Sequence, residues 1–123
     1  MIDAAGVYNL DPTGYRVSVE VKNRLVVIVI ADKNGVVVDK DDDASSIHRW
    51  FLYWDKSTQW LWRVSSDVGT AVWKLSTPGV VVRENVTPET HELINAIPRE
   101  VYAKLPDAKK AYWEELGVRD RPD

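Results

Sequence analysis

From Tyr15 to Lys22 every second residue is apolar or aromatic: Tyr15, Val17, Val19 and Val21 alternate with Arg16, Ser18, Glu20 and Lys22. That two-residue period belongs to a β-strand with one buried and one solvated face. After Asn23-Arg24 comes Leu25–Ala31, apolar at all seven positions. A strand apolar on both faces is expected to be central, with its second side covered.

Turn chemistry spaces the first 85 residues into short β-rich runs. It falls at Asp11-Pro12-Thr13-Gly14, Asn23-Arg24, Lys33-Asn34-Gly35, Asp55-Lys56-Ser57-Thr58, Asp67-Val68-Gly69 and Pro78-Gly79. This is the pattern of an antiparallel meander. Helix signals follow: Thr87-Pro88-Glu89 is a helix start, with short helices also expected near Pro98 and from Pro106-Asp107. Val101, Leu105, Ala108, Tyr112 and Leu116 form one apolar stripe that would cover the second face of the central strand. The expected fold is therefore α+β. An antiparallel meander of about seven or eight strands, a strongly bent sheet or partial barrel over residues 5–85, precedes two or three short helices over residues 88–116.

A length of 123 residues fits one domain. Its β part is 1–86, its helical part 87–117 and its frayed tail 118–123. The first residues lack the basic and apolar segments of a signal peptide, and the longest apolar run has seven residues, too few to span a membrane. A cytoplasmic location is the expectation. Cysteine is absent, which excludes disulfides and thiolate metal sites.

Charge is unevenly distributed. Residues 49–83 carry five basic and two acidic groups, whereas the segments before and after are each −3, and five of the six tryptophans lie in that basic middle. Turns placed at Lys56-Ser57, Val68-Gly69 and Pro78-Gly79 pair Trp50 with Arg63, Arg63 with Lys74, and Lys74 with Arg83. On that register Phe51, Tyr53, Trp60, Trp62, Val64, Trp73, Leu75, Val80 and Val82 make the core face, and the other face lines up three cations beside an indole. Burying a tryptophan is worth roughly 4–6 kcal/mol at most, so four of the six are expected in the core, with Trp50 and Trp54 partly exposed. Those two either lie beneath the helices or, with Arg63, Lys74, Arg83 and His48, form a binding surface.

Motifs for chemistry are sparse. Asp39, Asp41 and Asp43 have the opening spacing of a calcium loop, but Ala44 and Trp50 stand where glycine and glutamate belong. The segment reads as a solvated acidic loop, with those three as weak metal candidates. His91-Glu92 lacks the second histidine of a zinc-protease helix. Ser45 or Ser46 with His48 and Asp67 forms a triad on paper only, without a nucleophile elbow. No phosphate-cradling glycine loop is present, and no cofactor is expected.

The expectation is a non-catalytic, tryptophan-rich protein-binding module, such as a bacterial immunity or inhibitor protein or an adaptor. The alternative is binding of an anionic ligand, an acidic sugar or single-stranded nucleic acid, by stacking on Trp50 and Trp54. A net charge of −3 disfavours double-stranded nucleic acid. A second alternative is an enzyme whose site gathers dispersed residues in a pocket around His48 or a shifted carboxylate.

Overall fold

The computed structural model describes residues 2–65, 67–76, 81 and 83–85. The expected C-terminal helices, the apolar stripe, His91 and the Pro78-Gly79 turn lie outside the described residues.

Among the described residues, eight antiparallel strands form two four-stranded meanders rather than one bent sheet or barrel. Sheet 1 holds β1 (Gly6–Leu10), β2 (Tyr15–Lys22), β3 (Leu25–Ala31) and β4 (Val37–Asp41) in chain order. Sheet 2 holds β5 (Trp50–Asp55), β6 (Trp60–Ser65), β7 (Gly69–Lys74) and β8 (Glu84–Asn85), also in chain order.

Local chemistry explains the turns. Asn23 and Arg24 both have positive φ, 52° and 65°, and join Lys22 to Leu25 as a two-residue hairpin loop whose handedness matches strand twist. Between β1 and β2, the Thr13 hydroxyl donates to the Leu10 carbonyl at 2.6 Å and accepts from the Tyr15 amide at 3.0 Å. After β3, one Asp32 carboxylate oxygen accepts the amides of Asn34 and Val36. This is the self-capping that makes aspartate a turn former.

The inner faces of the two sheets share one core. Sheet 1 contributes Leu10, Val17, Val19, Val26, Ile28 and Ile30; sheet 2 contributes Leu52, Leu61 and Trp73. Ile2 exchanges two backbone hydrogen bonds with Leu52, so the chain starts on sheet 2 before entering sheet 1. Residues 42–49 make the return crossing: Val26 donates to the Ala44 carbonyl and Ser46 to that of Arg24. Two small sheets thereby close over an apolar interior without a disulfide.

β3 is central in sheet 1, as its composition requires; the stripe expected to cover its second side lies outside the described residues, and no described strand lies over that side. Val27, Val29 and Ala31 remain half-buried and Leu25 is exposed. On the other face of sheet 2, Phe51, Trp62, Val64 and Val72 are buried.

Candidate functional site

The row of three cations beside an indole does not form, and two turns explain why. Between β5 and β6 the connection is four residues rather than two. The Asp55 carboxylate accepts the Ser57 amide and hydroxyl, the Asp55 carbonyl accepts the Gln59 amide at 2.7 Å, and Gln59 takes φ 61°. Trp50 then opposes Ser65, and Arg63 opposes Leu52. The shift is even, so the faces of β5 and β6 keep the expected alternation.

The second shift is odd. Ser65 pairs with Gly69, leaving three residues in the loop rather than two at Val68-Gly69. The Ser65 hydroxyl accepts the amides of Asp67 and Val68, and Gly69 takes φ 81°. A left-handed glycine closing a three-residue loop is a known hairpin solution. Leu61 now opposes Trp73, and Trp60 opposes Lys74. An odd slip moves a whole strand's side chains to the opposite face. Trp73 thus joins Arg63 on the inner side, and Lys74 goes to the outer side. Val72 opposes Glu84, so the third expected pairing, Lys74 with Arg83, also gives way.

The face expected to be open is the inner face of sheet 2. Arg63 is 2% exposed, and its Nη1 donates to Asp41 at 2.5 Å. Ile28 and Ile30 point inward, and their partners Asp41 and Asp39 share that side of edge strand β4. From there Asp39 accepts the Trp73 indole N–H at 2.7 Å. Arg83 bridges Asp41 at 3.1 Å and Asp43 at 2.6 Å. Burial works to lower the Arg83 pKa, but its hydrogen bond to Asp43 and the charge of Asp41 outweigh that and raise it. The acidic segment therefore serves as a polar seam across the two sheets. It borders a cleft of about 350 Å³ with Val81 and Arg83. Among the described residues no group of three or more acids and histidines is arranged to hold a metal ion. The oxygens of Asp39, Asp41 and Asp43 are engaged by Trp73, Arg63 and Arg83 instead.

The remaining expected residues are dispersed. Trp50 and Trp54 are half-buried against the shared core, and the Trp54 indole donates to the Asp11 carbonyl at 2.9 Å. Trp60 is also half-buried, while Trp62 and Trp73 are buried. Lys74 sits 4.7 Å above the Trp60 ring and pairs with Glu84 at 3.0 Å. The expected cation–π contact thus exists between other partners. His48 is exposed in the 42–49 crossing. Asp67 does not build a triad with it: its carboxylate accepts the Ser45 amide at 3.1 Å.

Among the described residues a different surface stands open, the outer face of sheet 1. Its registers align Val7, Ser18, Val29 and Lys40 in one row and Asn9, Arg16, Ala31 and Val37 in the next. Val7 is 68% exposed and Val37 57%. Together with Arg16, Ser18, Val29 and Ala31 they line a shallow groove of about 310 Å³. Arg16, Lys22 and Lys40 on this face are exposed, and their side chains make no hydrogen bond or ion pair with any described residue. The sequence signal for this surface was the double-sided apolarity of Leu25–Ala31.

Fold and surface together define a small two-sheet antiparallel protein with a sheet face that no other described strand covers. Comparison of the chain with protein-family models, with curated proteins and with solved structures found no match.

Proposed function

We propose that this chain is a non-catalytic protein-binding module, of inhibitor or adaptor type, that docks its partner on the outer face of sheet 1. One observation carries the reading: Val7 and Val37, on opposite edge strands, are both more than half exposed, and half-buried Val29 and Ala31 lie between them. Covering contiguous aliphatic surface is worth about 25 cal/mol per Å², and such patches on soluble domains mark interaction sites. Three unpaired cations around the patch add electrostatic steering, since Glu20 is the one acid that the β2 alternation adds to that face.

The cations of the middle segment have less to offer a partner. Arg63 is buried, and Arg83 and Lys74 are already paired. The test is affinity capture from the native host with the parent chain, Val37→Glu and Val7→Glu. Both substitutions are at exposed positions and should leave the melting temperature unchanged. Loss of the captured partner in both variants is expected. Undiminished capture by either variant removes this face from the interaction.

A further inference from the structure

We infer that the groove on the outer face of sheet 1 receives a carboxylate flanked by aliphatic side chains, so that the partner presents an acidic, leucine- or valine-bearing peptide segment. This rests on reading that face as the docking surface and adds the chemistry of what docks. The walls are of two kinds. Val7, Val29, Ala31 and Val37 supply aliphatic surface, and Arg16 supplies the one charge, with the Ser18 hydroxyl beside it.

Register fixes their arrangement. Arg16 stands directly across from Ala31, which stands across from Val37, and Val7 and Val29 occupy the adjoining row on either side of Ser18. A guanidinium presents five donors in a rigid fork that matches a carboxylate. The Arg16 side chain makes no hydrogen bond or ion pair with any described residue, although the chain carries 19 acidic groups. Arg63 and Arg83, by contrast, each hold at least one aspartate. An occupant made only of hydrocarbon would leave the guanidinium desolvated without a partner, which costs free energy. A bare inorganic anion would leave the valines in water. An acidic group beside aliphatic side chains satisfies both halves. Lys22 and Lys40 on the same face favour the same sign of partner.

The experiment is a two-dimensional amide NMR titration of the full chain with three probes. They are an acetylated, amidated pentapeptide alternating leucine and glutamate, its counterpart with lysine in place of glutamate, and sodium octanoate. The glutamate peptide should shift the signals of Val7, Arg16, Ser18, Val29, Ala31 and Val37 saturably, and the lysine peptide should not. Arg16→Gln, at an exposed position, should weaken the glutamate peptide about tenfold, the loss expected for a charge-assisted hydrogen bond. Equal response to both peptides, or no effect of Arg16→Gln, overturns the inference. Octanoate binding without peptide binding also overturns it, in favour of a lipid. Should Val37→Glu abolish partner capture while the glutamate peptide fails to bind, the docking face stands and only the carboxylate anchor falls.

Discussion

Replacing Asp41 by alanine strands Arg63 and takes one of two carboxylates from Arg83. The carboxylate is fully buried; one oxygen takes Arg63 Nη1 at 2.5 Å and the other takes Arg83 Nη1 at 3.1 Å. It also accepts the Asp43 amide at 2.9 Å. Arg83 keeps Asp43, but Arg63, only 2% exposed, loses its counter-charge, and its Nε already lacks a hydrogen-bond partner. Breaking a buried pair from one side costs about 3–5 kcal/mol, because the remaining charge stays desolvated. A domain of this size has a total stability on the order of 5–15 kcal/mol, so Asp41→Ala removes a large fraction of it. With a urea m-value of about 2 kcal/mol/M, the unfolding midpoint should fall by roughly 2 M. Arg63→Met should cost less, since Asp41 retains Arg83 and the Asp43 amide. Combining Arg63→Met with Asp41→Ala should recover part of the single-variant loss, giving a favourable coupling in the double-mutant cycle. A cost below about 1 kcal/mol for Asp41→Ala, the value of a solvated surface pair, would refute the claim that this pair is buried between the sheets.

Other sites give sharper tests of local geometry. Arg24 holds φ 65° in the β2–β3 turn, where a side chain is disfavoured, so Arg24→Gly should stabilise by roughly 0.5–1 kcal/mol in the same urea assay. Trp73 is fully buried; Trp73→Ala should cost about 3–5 kcal/mol. Trp73→Phe keeps most of the apolar volume but leaves Asp39 without its indole donor, and it should cost roughly 1–3 kcal/mol.

Local signals carried much of sheet 1. The alternation over Tyr15–Lys22 and the Asn23-Arg24 turn are short-range features, and both stand where the residues put them. Sheet 2 was harder because register depends on loop length. Asp67-Val68-Gly69 reads equally as a two-residue turn at Val68-Gly69 or as the end of a three-residue loop from Ser65 to Gly69. Only the second lets the Ser65 hydroxyl cap two amides. The pairing moves by three residues, from Arg63 opposite Lys74 to Arg63 opposite Ala71, and that odd slip exchanged Trp73 and Lys74 between faces. The division into two sheets was invisible for a related reason. Residues 42–49, rich in Asp and Ser, read as one more loop of a continuous meander, and what separates the sheets is a crossing held by long-range contacts such as Asp67 to Ser45. The fate of the cations depended on the same long-range placement. Arg63 and Arg83 are neutralised by acids 22 and 40 residues away on the edge of the other sheet, which no sequence window connects. What remains charged and unpaired on a sheet face, Arg16 and Lys22 of β2 with Lys40 of β4, had looked like the ordinary solvated side of two strands.

The most direct test of the docking surface is photo-crosslinking in the presence of the captured partner. A benzophenone amino acid replaces Val37 in the groove, or Lys56 in the exposed β5–β6 turn. A crosslink from position 37 and none from position 56 is the predicted result; a bound partner that crosslinks at 56 but not at 37 would contradict the account.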